Sequence, residues 1–141
     1  MSLRGHCHCH NIEVLWQTND HSLVPRACGC GYCTGREAAW VSKSGTRFRA
    51  TVHRANSHRV VRHGSGQAAF HECTGCDSVV FVTAEVEGTV YGVLNARFLD
   101  NPMGFADPVP MDFSGQGADE KRERWQRNWC APVKVIVGQS Q

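Results

Sequence analysis

Apolar and polar positions alternate most regularly over residues 46–53, where Phe48, Ala50 and Val52 fall on one side and Arg47, Arg49, Thr51 and His53 on the other. A period of two belongs to an extended chain with one buried face, so this stretch is read as a half-buried β-strand. Residues 11–16 and 38–43, each bounded by polar or glycine-containing stretches, predict two more strands. Residues 78–86 and 89–94 are separated only by Glu87 and Gly88, the spacing of a tight hairpin, and this hairpin is expected at the centre of a sheet. Residues 55–67, rich in Asn, Ser, Gly and His, read as a loop or sheet edge, and residues 68–72 as extended chain. Pro102, Pro108 and Pro110 make most of residues 101–117 irregular. Residues 118–129 carry Asp119 and Glu120 in a first turn and Trp125 and Trp129 four apart, which predicts a helix whose indoles cover the sheet. Pro132 stops that helix, and residues 133–137 predict a last strand. The pattern is mainly β with one late helix.

The 141 residues match one ordinary domain, so residues 1–141 are taken as a single unit. Hydrophobic residues make up 41% and charged residues 20%, with a mean hydropathy of −0.36. Those values exclude both a disordered chain and a membrane protein. No run approaches the roughly 18 continuous apolar residues of a membrane-spanning helix. The first residues, MSLRGHCHCH, have no apolar core or cleavage motif, so the expected compartment is the cytoplasm. In that reducing setting eight cysteines point to metal binding before disulfides.

Net charge is +2, from 15 basic and 13 acidic residues. Its distribution is uneven: between Glu37 and Glu72 there is no acidic residue, while Lys43, Arg47, Arg49, Arg54, Arg59 and Arg62 accompany His53, His58 and His63. A solvated strand face and loop account for such a run, and an anionic ligand is the sharper reading. Near-neutral overall charge and the lack of aromatic residues interleaved with basic ones disfavour nucleic acid.

The cysteines form three groups and a remainder: Cys7 with Cys9; Cys28, Cys30 and Cys33; Cys73 with Cys76; and Cys130. If residues 7–9 are extended, both sulfurs of Cys7 and Cys9 face one ion and His6, His8 and His10 point the other way. Cys73 and Cys76 have the spacing of a zinc knuckle, with Gly75 expected to let the chain turn beneath the ion. Together the two pairs make a four-thiolate site of the structural zinc type.

The triplet Cys28, Cys30 and Cys33 supplies three thiolates and leaves one vertex of a tetrahedron open, where a substrate can bind and be activated. Completion by Cys130, by a histidine such as His21 or by a partner molecule would make the site inert instead. Seven thiolates and two zinc ions would take the formal charge from +2 to about −1, and a three-thiolate zinc site is itself anionic. Such a site favours thiol chemistry over hydrolysis. Arg26 and Arg36 flank the triplet and are candidates to receive carboxylates of an anionic thiol substrate.

The order Gly5-His-Cys7-His-Cys9, Cys28-x-Cys30-x-x-Cys33 and Cys73-x-x-Cys76, followed by YGVLNARFLDNP from Tyr91 to Pro102, resembles the glutathione-dependent formaldehyde-activating enzyme family, which includes centromere protein V. The resemblance covers residues 5–102, and residues 103–141 add the irregular segment, helix and strand. It implies a zinc-binding β-tent type of fold with two zinc sites: Cys7, Cys9, Cys73 and Cys76 at a structural ion, and Cys28, Cys30 and Cys33 at a second, open one. It further implies a carbon–sulfur lyase-type activity with glutathione as co-substrate, adding to formaldehyde to give S-hydroxymethylglutathione. His10 stands where many relatives of that family carry glycine.

Two other readings compete. One is a non-catalytic zinc-stabilised module in which the segment from Arg47 to Arg62 meets an anionic or protein partner. The other, a methionine sulfoxide reductase, needs a reactive cysteine outside the clusters. Cys130 is the available candidate, but its place beside the tryptophan helix suits a packed thiol.

Overall fold

The computed structural model describes residues 3–18, 23–28, 33, 35, 38–62, 67–100, 105–111 and 117–138. Within them the chain runs β1 (Leu3–His6), β2 (Ile12–Trp16), β3 (Arg26–Cys28), β4 (Trp40–Val41), β5 (Phe48–Val52), β6 (His58–Val61), β7 (Ala69–Cys73), β8 (Ser78–Val86), β9 (Thr89–Asn95), β10 (Leu99–Asp100) and β11 (Val109–Met111), then α1 (Ala118–Asn128) and β12 (Lys134–Val137). The strands form a five-stranded sheet in the order β10-β1-β2-β5-β12 and a seven-stranded sheet in the order β11-β3-β4-β9-β8-β7-β6. The mainly β class with a late helix is as expected. No helix among the described residues is long and apolar enough to cross a membrane.

Alternation in the sequence becomes facing in the five-stranded sheet. Ile12, Val14 and Trp16 of β2 and Phe48, Ala50 and Val52 of β5 are buried and share one hydrophobic cluster with Phe81 and Leu94 of the larger sheet. The opposite face of β8 and β9, carrying Val82, Ala84, Val86 and Val93, packs with Trp125 and Trp129. The seven-stranded sheet is therefore covered on both sides, by the smaller sheet and by α1. That explains why β8 is apolar along nearly its whole length where β5 alternates.

The β8–β9 hairpin occupies the middle of its sheet, and its turn residues Glu87 and Gly88 have φ of 53° and 82°. Two left-handed residues match the turn twist to that of the strands. Trp125 of α1 and Trp129, which caps its C-terminus, have their indoles 4.9 Å apart, and both are buried. The segment after the helix then runs beside β9 through Gly92 N–H to Cys130 O (2.9 Å) and Cys130 N–H to Gly92 O (3.0 Å). It goes on as β12, parallel to β5, and so crosses from one sheet to the other.

Several elements carry too little pattern to be read from sequence. β1, β3 and β10 are two to four residues long and exist through their pairing. Residues 58–61 form the edge strand of the larger sheet, one of the two options that composition left open. β11 includes Pro110, which an edge position tolerates because no neighbour needs its missing donor. The other parts of the predicted irregular connection, residues 101–104 and 112–116, lie outside the described residues.

Gly5 sits between Val14 of β2 and Leu99 of β10, and an added Cβ would overlap the backbone carbonyl of Phe98. Gly5→Ala is expected to cost about 1–3 kcal/mol through this forced separation. A lower urea midpoint at unchanged slope is the expected readout, and an unchanged midpoint would show that β10 yields freely.

Candidate metal centre

β1 ends at His6, and the chain turns at once: His10 N–H donates to Cys7 O (3.0 Å) and Cys7 N–H to Ile12 O (3.0 Å) before β2 begins. Cys7 and Cys9 therefore lie in a turn, not in the extended segment expected from sequence. The turn is closed by His10 at φ 64°, a conformation that few residues other than glycine hold without strain. The second pair brackets another turn, Cys73 ending β7 and Cys76 preceding β8. Its left-handed residue is Asp77, at φ 55°, so the freedom expected of Gly75 is supplied one residue beyond Cys76. A Cβ on Gly75 would sit 3.5 Å and 3.6 Å from the Cys9 and Cys73 sulfurs, an ordinary contact.

The two turns meet. The Sγ atoms of Cys7, Cys9, Cys73 and Cys76 all lie within 4.8 Å of one another, with Cys7–Cys9 at 3.8 Å and Cys9–Cys73 at 3.5 Å. Four sulfurs about 2.3 Å from a central ion sit about 3.8 Å apart at tetrahedral vertices, so the donor set fits a four-coordinate metal ion. The partition of these four residues into one site, expected from spacing, is present in the fold.

The protonation equilibria pull against each other. Burial pushes the Cys7 thiol up to about 12 and raises Cys73. Burial also acts upward on Cys76, but hydrogen bonds from the Ser78 hydroxyl, the Cys9 backbone and the Cys7 and Cys9 side chains outweigh it and bring Cys76 down to about 6. A cation in the middle resolves this conflict, because it favours four thiolates at once.

Donors that spacing could not reveal surround the cluster. Ile12 N–H donates to Cys7 Sγ (3.3 Å), Asn11 Nδ2 to Cys73 Sγ (3.8 Å) and Arg54 Nη2 to Cys9 Sγ (3.7 Å), while the Ser78 hydroxyl lies 3.3 Å from Cys76 Sγ. Asn11 is fully buried, and its Oδ1 accepts from Arg54 N–H at 2.6 Å, which holds the arginine's backbone beside the cluster. Four thiolates around a divalent ion carry about two negative charges, and Arg54 faces them. The three amino-terminal histidines are not among the four clustered donors: His6 stacks on His10 at 3.6 Å and His8 meets the edge of Phe98.

Of the central triplet, Cys33 is buried beside the tryptophan cluster, with its carbonyl accepting from Ala38 N–H at 3.0 Å. Cys28 closes β3, while its side chain, together with Cys30, Arg36 and His21, lies outside the described residues. Arg26 is half-buried, and its Nη2 donates to Ser42 Oγ at 2.7 Å, with Ser42 in turn donating to the Asn128 carbonyl. Cys130 is fully buried in the cluster between the sheets, its thiol raised by burial, and thus a packed thiol.

The basic segment does not form one strip. Arg54 faces Cys9, Arg59 binds Glu72 at 2.5 Å and 2.9 Å, and Arg47 and Arg49 lie on the outer face of the smaller sheet. Behind Arg59, His71 is buried against Phe81 and hydrogen-bonded on both ring nitrogens, to His58 Nε2 (3.0 Å) and Thr83 Oγ1 (2.8 Å). Burial, followed by the charges of His58 and Arg62, lowers His71 to about 3.

No family model matches the chain, and no curated protein matches it. Among solved structures, a crystal structure of a Rhodobacter sphaeroides protein from structural genomics is similar at 21% identity and a TM-score of 0.56, covering 75% of this chain and 99% of that one. At that identity the likeness concerns the fold.

Two outcomes follow for this region. Cys73→Ser is expected to remove one equivalent of bound metal and to lower the melting temperature, as is chelation of the parent, measured by elemental analysis and calorimetry. Retention of the metal by the variant would exclude this donor set. His71 is neutral in the fold down to about 3, whereas its unfolded value is about 6.5, so the unfolded chain binds more protons between those limits. Stability is therefore complete above the ordinary histidine range and is lost as pH falls from about 6.5 towards 3, by on the order of 1 kcal/mol per unit. Urea midpoints against pH, with metal content followed at each point, should fall less steeply for His71→Gln than for the parent; parallel curves would rule out this contribution.

Proposed function

We propose that the chain is a zinc enzyme acting on glutathione adducts, of the glutathione-dependent formaldehyde-activating type. The observation that carries this reading is the use of the first and third cysteine groups, and neither Cys33 nor Cys130, in the four-sulfur cluster. That composition leaves Cys33 to the second set, which the spacing of Cys28, Cys30 and Cys33 suggests. Two further features are compatible with the family pattern: Gly5, which has no room for a side chain, and His10, left-handed where many relatives carry glycine.

On this reading Cys7, Cys9, Cys73 and Cys76 hold a structural zinc ion, and Cys28, Cys30 and Cys33 hold a second with an open position. Zinc there supplies a site that lowers the pKa of a bound thiol. The glutathione sulfur forms a bond to the formaldehyde carbon as the carbonyl π bond breaks. The electron pair passes to oxygen, and a proton taken up there completes S-hydroxymethylglutathione. Arg36, and Arg26 if it exchanges Ser42 for the ligand, are the cations for the glutathione carboxylates. Free thiols and an open thiolate site suit a reducing compartment, the cytoplasm.

Zinc content per chain under reducing conditions tests the assignment. The parent is expected to hold two ions and Cys30→Ser one, with X-ray absorption at the zinc edge changing when glutathione is added to the parent only. Product formation from glutathione and formaldehyde should be lost in Cys30→Ser while the melting temperature stays close to that of the parent. A parent with one ion, insensitive to glutathione, would leave a zinc-stabilised binding module.

A further inference from the structure

The outer face of the five-stranded sheet carries a second cluster of side chains, at the other end of β2 and β5 from the sulfurs. The metal centre adjoins the Ile12 and Val52 end, whereas this cluster surrounds Leu15, Gln17, Arg47 and Arg49. Register aligns Arg4, Leu15, Arg49 and Lys134 in one row across β1, β2, β5 and β12. Arg47 lies beside the row, with its Nε donating to Gln17 Oε1 at 3.1 Å. Between them opens a groove of about 420 Å³ lined by Arg47, Arg49 and Lys134, with Leu15 and Pro132 among its apolar walls.

Its electrostatics are one-sided. Among the described residues, no acidic side chain lines the groove. Glu13, one row away, is engaged by His53 at 3.5 Å, and Asp100 stands opposite Arg4 on the far edge of the sheet. Arg49 and Lys134 are directly opposed on neighbouring strands, an arrangement that weakens a sheet unless an anion lies between them. Two guanidinium forks and an ammonium match a doubly charged tetrahedral oxyanion, and a single carboxylate would leave two cations unmatched. The apolar walls give an organic substituent somewhere to lie. A glutathione adduct also carries an ammonium group, for which the described lining offers no carboxylate, so the site is taken as separate from the thiol chemistry proposed above.

We propose that this groove binds a small phosphate monoester, its phosphate held by Arg47, Arg49 and Lys134 and its organic part resting on Leu15 and Pro132. The metal-loaded full chain should be titrated with phenyl phosphate, inorganic phosphate, benzoate and a short single-stranded oligonucleotide, by calorimetry and backbone amide resonances. The expected result is saturable binding of phenyl phosphate that shifts Leu15, Arg49 and Lys134, with benzoate and inorganic phosphate each at least about tenfold weaker. Arg49→Gln and Lys134→Gln should each weaken phenyl phosphate about tenfold at unchanged metal content, whereas Lys121→Gln, on α1, should not. The proposal is overturned by any of four results: no saturable shift, equal binding of benzoate or inorganic phosphate, binding of the oligonucleotide without phenyl phosphate, or an equal effect of Lys121→Gln.

Discussion

Everything at one end of this molecule depends on bringing four sulfurs together from two turns that lie 64 residues apart in sequence between Cys9 and Cys73. One turn leaves the smaller sheet after β1, and the other joins two strands of the larger sheet, so the cluster ties the sheets across their shared core. Without a cation the same four groups are in conflict, since burial holds Cys7 and Cys73 protonated while local hydrogen bonds ionise Cys76. The backbone accepts two left-handed residues, His10 and Asp77, to build the turns. Strain of that kind persists where the surrounding structure over-determines the conformation, and here the sulfur geometry does so.

The rest of the core follows from the larger sheet having two covered faces. β8 contributes Phe81 to the cluster facing the smaller sheet and Val82 to the cluster beneath the tryptophans. Two buried polar groups in this layer are matched individually: Glu72, 2% exposed, by Arg59, and Asn95 by the Val79 carbonyl and the Ala39 amide. Removing one member of such a pair is costly because the other stays buried. The orientation of β7 and β8 beside the cysteine turn is thus held by both apolar packing and specific hydrogen bonds.

The metal centre and the cationic groove use the same two strands in different ways. At the Ile12 end, backbone donors and Arg54 face inward onto the sulfurs. At the Trp16 end, alternation sends Arg47 and Arg49 outward, away from the core that holds Phe48. A single half-buried strand, β5, thereby separates a thiolate site and a cationic surface on one short element.

Much was legible in the residues themselves. Alternation at residues 46–53 and the two-residue gap at Glu87 and Gly88 are local signals, and the strands and hairpin they predict are present because side-chain facing and turn geometry are decided within a few residues. The Cys-x-Cys and Cys-x-x-Cys pairs were readable for a similar reason: close spacing limits where two sulfurs can go. Only the tertiary structure decided that Cys7 and Cys9 sit in a turn, that Asp77 and not Gly75 takes the left-handed position, and that Arg54, Asn11 and Ser78 attend the cluster. The pairing of Arg59 with Glu72, the burial of His71 between His58 and Thr83, and the opposition of Arg49 and Lys134 were likewise hidden. Each depends on strand register, which places residues distant in the chain within a few ångströms and leaves no periodic trace in the sequence.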